Sequence, residues 1–319
     1  MISLIVEWLR RELKNTMKIL LTGASGFIGS HVLERLIDDN QVTLLLRKHS
    51  DTWRIETLLP KVKVVHEEAL TQYFASTPPE LIMHFATHYV KAHQASDVAQ
   101  MIDGNVRLPT LLLEHAVRSQ TQYFINIGTC FEYAQSAEKL SETATIAPYN
   151  LYASTKVAFE QVLQYYAANT PLKALTLKLF YPYGEKDNTK VIQLIINAVK
   201  QQQELIISKG EQLLDFTYVH DLVDATLAAM LFIQSSKYHQ YEVCNIGTGQ
   251  GTKLKHIAQI LNKKGKRSVV RCEREYIENE IMSMVADNSK AKKLLGWQPK
   301  TSIELGLQHM WEYYQHHEK

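Results

Sequence analysis

The chain has 319 residues, of which 45% are hydrophobic and 21% charged, so it can bury a substantial core in one large domain or two joined ones and is not disordered by composition. Its 35 lysines and arginines nearly balance 33 aspartates and glutamates, and a net charge of +2 gives no reason to expect nucleic acid or an anionic membrane as the main partner. No apolar run reaches the roughly 18 residues of a membrane span. Three widely spaced cysteines without a CxxC pair make a disulfide framework or zinc site unexpected and fit a reducing, cytoplasmic setting.

Residues 1–16 precede the first predicted strand and are expected to form an N-terminal extension outside the main fold. Apolar side chains recur there at helical spacing, with charged residues between them, at Ile2, Ile5, Leu9 and Leu13. The segment is too short and too charged to cross a bilayer, and it lacks the small-residue cleavage site of a signal peptide. Two interpretations stay open: an extension created by a start codon upstream of Met17, or a docking helix.

The first predicted strand, Lys18–Thr22, runs into a glycine-rich turn and then into a segment with helical periodicity. Glycine allows a tight turn, a close approach of the backbone to a pyrophosphate, and close packing of the helix on the strand. Free N–H groups at the start of the helix favour bound phosphates. An ordinary strand-to-helix turn is the alternative. We expect a dinucleotide to contact Gly23, Ser25, Gly26, Phe27, Ile28 and Gly29.

The second predicted strand, Val42–Leu46, ends at Arg47 and Lys48. In NAD-selective folds a carboxylate near this point accepts hydrogen bonds from the adenosine ribose. Two cations would instead pair with the 2′-phosphate of NADP. The pattern therefore favours NADP over NAD, with a solvated basic strand end as the alternative.

Further strands and helices alternate along the chain, which predicts an α/β fold with a doubly wound parallel sheet covered on both faces. The predicted strands are Val62–Val65, Leu81–Phe85, Tyr123–Ile127 and Ala174–Leu179. The main predicted helices between and after them are Asp97–Ser119 and Tyr152–Ala168.

Tyr152 and Lys156 open a predicted helix and are four residues apart, so their side chains lie side by side. A phenol with its usual pKa of about 10 is a poor proton shuttle at neutral pH. A neighbouring ammonium and a positive nicotinamide ring both favour the phenolate. Thr129 follows the strand Tyr123–Ile127, and ligands bind beyond the carboxyl ends of parallel strands. We therefore expect Thr129 to hydrogen-bond a substrate oxygen beside Tyr152.

These residues resemble the extended short-chain dehydrogenase/reductases, in the branch that modifies nucleotide sugars. The resemblance runs from residue 17 to about residue 315 and includes Met83–Ala86, Asn105–Val106, Thr129 with Tyr133, Phe180–Gly184, Asp215–Asp221, Asn245–Gly249, and Ala286–Lys290 with Leu295–Trp297. It implies that the threonine orients the sugar oxygen, the tyrosine exchanges its proton and the lysine holds the nicotinamide ribose, roles that fall on Thr129, Tyr152 and Lys156. It also implies that Asn105 supports the site and that the cofactor is bordered by Leu70, Phe85, Ala86, Thr87 and Pro182.

The chain departs from the family pattern at three places. The similar sugar 4,6-dehydratases carry an Asp-Glu pair after the threonine, whereas this chain has Cys130 and Phe131, so dehydration is not expected. Leu214 replaces an arginine that commonly binds the substrate diphosphate, and Tyr181 replaces an asparagine of many epimerases. Candidate substrate contacts are His88, Cys130, Tyr181, Arg271 and Arg274, and no metal site is expected.

The resemblance implies a dinucleotide-binding domain over residues 17–180 and a mainly substrate-binding lobe over 181–319, with 215–247 returning to the sheet. The leading function is NADPH-dependent reduction of a nucleotide-linked 4-keto sugar. The alternatives are an NAD-dependent 4-epimerase of nucleotide sugars and, from another class, an inactive protein that senses NADP. A cytoplasmic homodimer is expected, paired through helices in 97–119 and 152–168, as in related enzymes.

Overall fold

The computed structural model describes residues 16–188, 190–235 and 237–317. The predicted extension, except Thr16, lies outside these residues. The strands are β1 (Lys18–Thr22), β2 (Gln41–Leu45), β3 (Lys63–Val65), β4 (Leu81–His84), β5 (Tyr123–Thr129), β6 (Lys173–Leu179), β7 (Pro182–Tyr183), β8 (Leu205–Ser208), β9 (Leu213–Leu214), β10 (Thr217–Tyr218), β11 (Tyr241–Ile246), β12 (Thr252–Lys253), β13 (Val270–Arg274) and β14 (Ser283–Met284). The α-helices are α1 (Phe27–Leu36), α2 (Leu70–Ser76), α3 (Val98–Ile102), α4 (Leu108–Arg118), α5 (Leu151–Asn169), α6 (Val191–Gln201), α7 (Val219–Ile233), α8 (Leu254–Asn262), α9 (Ser289–Leu295) and α10 (Ile303–His316).

A parallel sheet of seven strands, in the order β3-β2-β1-β4-β5-β6-β11, forms the centre of the molecule. This is the strand order of doubly wound dinucleotide-binding folds, extended by one strand, and it reverses direction between β1 and β4. The predicted fold class is therefore confirmed. Ligands of such folds bind beyond the carboxyl ends of the strands at the reversal.

Helices cover both faces of the sheet, which explains why its strands read as continuous apolar runs. Along β1, Ile19 and Leu21 pack on one side with residues of α1, α7 and α9. Leu20, between them, points to the other side and packs with residues of α2, α4 and α5. A third core joins α6, α8 and α10 in the C-terminal part of the chain. The late segment Tyr241–Ile246 nevertheless pairs with β6 in the main sheet.

The helix predicted over Asp97–Ser119 is interrupted. A 3₁₀ turn at Ala95–Asp97 leads into α3, and a π-helical turn at Asp103–Arg107 separates α3 from α4. Pro109 has no N–H to donate to the carbonyl of Asn105, so the regular hydrogen-bond ladder cannot continue there. Such π-helical turns are frequent at functional sites, and this one holds Asn105 fully buried.

Candidate active site

A cleft of about 1650 Å³ opens beyond the carboxyl ends of β1, β4, β5 and β6, and residues of the C-terminal part form its far wall. Pockets for a single small ligand usually measure roughly 300–1,000 Å³. The cleft therefore has room for a dinucleotide and a second ligand together.

Across the described residues, no group of three or more His, Cys, Asp or Glu side chains could hold a metal ion. No helix among them is long and apolar enough to cross a membrane.

The glycine turn is packed tightly within itself and against the residues after β4, which leaves no room for a side chain at Gly23 or Gly29. Gly23 has φ of +72°, and a Cβ there would lie 2.4 Å from the backbone nitrogen of Ala86. A Cβ on Gly29 would lie 2.2 Å from the carbonyl oxygen of Gly23. The first N–H groups of α1 receive no side-chain cap, as a phosphate-binding helix start requires. These observations fit a dinucleotide, and all six predicted residues of the turn line the cleft.

The basic end of β2 also lines the cleft, but its two cations differ. Lys48 Nζ lies 2.5 Å from Glu68 Oε1, in an ion pair whose side chains are both more than half exposed. Such exposed pairs contribute little to stability, so a phosphate can compete for Lys48. Arg47 makes no ion pair with any described residue and is exposed.

The structure does not bring Leu70 to the cleft, and this expectation is corrected. Leu70 is the first residue of α2, and its side chain packs in the core beneath that helix with Phe74. The cleft wall is formed instead by the preceding residues His66, Glu67 and Glu68. Phe85, Ala86, Thr87 and Pro182 do line the cleft.

Thr129 and Tyr152 both line the cleft, and they come from two elements. Thr129 ends β5, and Tyr152 lies in the first turn of α5, where the Ala153 N–H donates to the Oδ1 of the capping residue Asn150 at 2.9 Å. The ring of Tyr89 packs edge-on against that of Tyr152, with centroids 4.8 Å apart. Lys156 lies one turn further along α5 and is buried.

Burial, rather than Lys156, dominates the pKa of Tyr152. It raises that pKa above the usual value, although a hydrogen bond with Thr87 opposes the change. The expected lowering by the neighbouring ammonium is thus outweighed. Burial also lowers the pKa of Lys156 to about 8, while Glu132 and Glu160 act in the opposite direction. At neutral pH the phenol is therefore protonated and suited to donate a proton.

Asn105 uses its full hydrogen-bonding capacity to connect the cleft loop with α5. Its Oδ1 accepts from Thr87 Oγ1 at 3.0 Å and from the His88 N–H at 2.7 Å. Its Nδ2 donates to the His88 carbonyl at 3.0 Å and to Thr155 Oγ1 at 2.9 Å. Asn105 does not line the cleft itself, so it supports Thr87 and His88 from behind.

Four of the five candidate substrate residues reach the cleft: His88, Cys130, Tyr181 and Arg274. Arg271 does not, because on β13 its side chain points to the surface and pairs with Glu204 at 3.2 Å. Burial raises the pKa of the Cys130 thiol to about 12, so this cysteine stays protonated and packs as an apolar residue. Leu214 lines the same wall.

A group of aromatic rings occupies the substrate side of the cleft. Tyr181 packs against Phe131 with centroids 5.5 Å apart and against Phe216 at 5.6 Å. Its backbone φ is +26°, in the left-handed region that a bulky residue adopts only under strain. No local sequence pattern predicts this conformation.

Sequence reasoning also missed two cations that face the cleft. Lys190 donates to the Pro182 carbonyl at 3.0 Å, with its Nζ 5.0 Å from the centre of the Phe27 ring. Arg54 donates to the carbonyls of Lys186 at 2.9 Å and Ser25 at 3.3 Å, which ties the glycine turn to the loop after β7. Neither belongs to a motif, so only their place in the fold reveals them.

The third omission is a buried ionic cluster directly behind Thr129. Lys178 Nζ lies 2.8 Å from Glu132 Oε2 and 3.3 Å from Glu160 Oε2, and all three side chains are at most 9% exposed. Two signals in the sequence mark individual members of the cluster, though not their association. Thr129-x-x-Glu132 has the spacing of a capping box, and Lys178 is a charged residue between two leucines near the end of β6.

Comparisons with known proteins agree with this geometry. Residues 19–247 match the model of the NAD dependent epimerase/dehydratase family. A CDP-abequose synthase of Salmonella typhimurium is 28% identical over 312 residues, which cover 92% of this chain and 96% of that protein. A UDP-glucose 4-epimerase of Rhizobium meliloti is 26% identical, over 93% of this chain and 96% of that one.

Solved structures show the same architecture. The UDP-glucose 4-epimerase of Thermotoga maritima superposes with a TM-score of 0.84 at 28% identity, covering 94% of this chain and 99% of that one. The UDP-glucuronic acid 4-epimerase of Bacillus cereus, solved with NAD, gives a TM-score of 0.81 at 26% identity over 94% and 96%. The chain therefore belongs to the NAD-dependent epimerase/dehydratase family, and with it to the nucleotide-sugar branch of the extended short-chain dehydrogenase/reductase enzymes.

Proposed function

We propose that this enzyme reduces a nucleotide-linked 4-keto sugar with NADPH. The observation that carries the proposal is that Thr129 and the buried Tyr152 line one cleft, with no carboxylate at position 130 or 131. A carboxylate pair there would support dehydration. Protonated phenol and threonine hydroxyl instead suit the conversion of a ketone to an alcohol.

A nicotinamide bound in the cleft would supply the hydride for the reduction of carbon 4 of the sugar. Tyr152 transfers its phenolic proton to the ketone oxygen, so that hydride and proton together give the alcohol. Thr129 Oγ1 donates a hydrogen bond to the same oxygen and orients it. The ammonium of Lys156 stabilises the phenolate that remains and holds the cofactor ribose.

The proposed preference for NADP rests on Arg47 and Lys48 at the cleft edge. A 2′-phosphate would pair with Arg47 directly and would compete with Glu68 for Lys48. NAD offers only hydroxyls at this place, for which neither cation is needed. The choice of cofactor is therefore a direct test of this part of the site.

Position 214 holds a leucine instead of the usual arginine, so other residues must bind the diphosphate of the proposed nucleotide. Lys190 and Arg274 are cations that line the cleft and can pair with a diphosphate. Lys190 is the better placed of the two, because it lies between Phe27 of the glycine turn and Pro182. The rings of Phe131, Tyr149 and Tyr181 can stack on a base or cover a sugar.

A 4-epimerase is the second candidate, favoured by the solved 4-epimerases that superpose on this chain. In an epimerase the same tyrosine would act in both directions. The two reactions differ in their use of cofactor, because an epimerase shows no net consumption of NADPH. Identifying the cofactor that co-purifies, and then following NADPH absorbance with a series of 4-keto nucleotide sugars, separates them. Steady oxidation of NADPH with a 4-keto sugar supports the reductase, whereas interconversion of 4-hydroxy nucleotide sugars without net oxidation of NADPH contradicts it.

We also propose a cytoplasmic homodimer. The apolar side chains of Val98 and Ile102 on α3 and of Tyr165 on α5 are exposed, on the two segments expected to form the interface. The three cysteines carry free thiols, which suits a reducing compartment. A monomer mass that stays unchanged with concentration would contradict the dimer.

A further inference from the structure

The buried cluster of Glu132, Lys178 and Glu160 touches the active site through Glu132. The N–H of Thr129 donates to Glu132 Oε1 at 2.8 Å, while the other carboxylate oxygen faces Lys178 at 2.8 Å. Glu132 is fully buried, in a 3₁₀ turn that follows β5 directly. The Glu132 carboxylate thus connects the backbone of Thr129, at the end of β5, with Lys178 on β6.

The packing of β5 leaves space specifically for this cluster. A Cβ on Gly128 would lie 2.9 Å from Glu132 Oε1 and 3.0 Å from Lys178 Cγ. The φ of Gly128 needs no glycine, since it is not positive. A glycine is needed at position 128 because the side chains of Glu132 and Lys178 occupy the space that a Cβ would fill.

Charge balance links the cluster to Lys156. Lys156 and Glu160 are four residues apart on α5 and lie on one face of it. With both carboxylates ionised, the cluster would carry one negative charge, which the ammonium of Lys156 on the same helix face as Glu160 would offset, although burial and Glu132 raise the pKa of Glu160. Buried charges are tolerated only when paired in this way.

We propose that Glu132 is a positioning residue for the reaction: it fixes the backbone of Thr129 and keeps a negative charge behind Lys156. The proposal rests on the roles given above to Thr129 and Lys156. The opposing effects of Glu132 and Glu160 on the burial-lowered pKa of Lys156 agree with it.

Other titratable groups also face this region from each neighbouring element. Burial, and to a smaller extent the charge of Lys156, lower the pKa of His84 on β4 well below its usual value, so His84 is neutral. Tyr152 shares α5 with Lys156, and Tyr241 on β11 acts on Glu160. Burial raises the pKa of both phenols, so they are uncharged at neutral pH. Among the described residues, Glu132, Glu160 and Lys178 therefore remain as the charged groups of this region, with the pKa of Glu160 raised by burial and by Glu132.

The test is the pH dependence of binding of NADPH and, in parallel, NADH, followed by nicotinamide fluorescence, because it requires no sugar substrate. Binding that depends on protonated Lys156 weakens as pH rises through about 8. Glu132→Gln keeps the size and the acceptor for Thr129 but removes the charge. Its midpoint should move to lower pH by about one unit, which makes binding about fivefold weaker at pH 8. Glu132→Asp keeps the charge, and its midpoint should stay near that of the wild type.

A structural role alone would give a different pattern. Glu132→Asp leaves a cavity and so lowers thermal stability. If Glu132 had a structural role alone, the pH midpoint of binding would change in both Glu132→Asp and Glu132→Gln in proportion to their loss of thermal stability. Equal midpoints for Glu132→Gln and wild type, or shifts that parallel melting temperature, would overturn the proposal. Glu138→Gln, an exposed change in the same loop, is the control and should shift nothing.

A second variant keeps the proposal testable if Glu132→Gln does not fold. Glu160→Gln leaves the Thr129 hydrogen bond intact and removes the other carboxylate, so its midpoint should also move to lower pH. An unchanged midpoint there would equally contradict the proposal. A shifted midpoint in an enzyme that reduces no 4-keto sugar would refute the proposed reaction while supporting this role of Glu132.

Discussion

Replacing Lys178 by methionine tests whether the buried cluster is ionised. The side chain of Lys178 is 3% exposed, held between Glu132 and Glu160, and its Nζ lies 4.8 Å from the centre of the Tyr133 ring. Methionine has nearly the same volume, so packing changes little. Two carboxylates would remain buried without their cation. Breaking a buried ion pair in this way costs about 3–5 kcal/mol.

For a chain of this length, that loss corresponds to a melting temperature lower by about 5–8 °C. The effect should depend on pH in a defined direction. Without the cation, the pKa of a remaining carboxyl rises above its unfolded value, so the folded state binds the extra proton. Stability is then lost as pH rises above about 4.3, the usual glutamate value. The difference from wild type should be larger at neutral pH than in mild acid.

Thermal unfolding at two pH values, followed by circular dichroism, measures this difference. Lys173→Met, a change on the same strand at a partly exposed position, is the matched control and should cost little. Adding Glu132→Gln and Glu160→Gln to Lys178→Met removes all three charges and should restore most of the stability. A melting temperature for Lys178→Met equal to that of the wild type at both pH values would refute an ionised cluster.

Three further predictions concern the active site. Arg47→Ala removes a charge-assisted hydrogen bond of about 1.5–3 kcal/mol, so NADP affinity should fall at least about tenfold while NAD affinity changes little; equal wild-type affinities for both cofactors would contradict this. Gly23→Ala adds a Cβ at φ +72° within 2.4 Å of the backbone nitrogen of Ala86, just after β4, and should abolish cofactor binding measured by fluorescence; normal binding would show that the turn is not constrained as described. Tyr152→Phe should lower turnover by about 10²- to 10⁴-fold while cofactor still binds; near-normal turnover on a confirmed substrate would exclude this tyrosine as the proton donor.

The fold was predictable because its signals are local. Alternating strands and helices and the glycine turn each depend on a few neighbouring residues, and the seven-stranded sheet confirms the prediction. The interruption of the helix before Arg118 was missed, although Pro109 marks the place. Its consequence, a π-helical turn that buries Asn105, depends on contacts with His88 and Thr155 that helical periodicity does not contain.

The buried cluster could not be predicted from local patterns, because its three members come from three separate elements. Glu132 follows β5, Glu160 lies on α5 and Lys178 on β6. Only the pairing of β5 with β6 and the packing of α5 beside them brings the charges together. For Leu70 and Arg271, in contrast, the position in the chain led to a wrong assignment to the cleft. Their position in the chain suggested the site, but the first faces the core and the second the surface.

The two halves of the cleft obey different constraints. In the cofactor half, the close contacts of Gly23 and Gly29 leave little choice of residue, so sequence and structure agree closely. In the substrate half, Tyr181 is held at a positive φ, a conformation that costs about 1–3 kcal/mol. Its ring contacts with Phe131 and Phe216 must offset that cost. With Leu214 beside this group, this part of the wall offers stacking and apolar contact, so the proposed choice of substrate would depend on ring packing that sequence patterns do not describe.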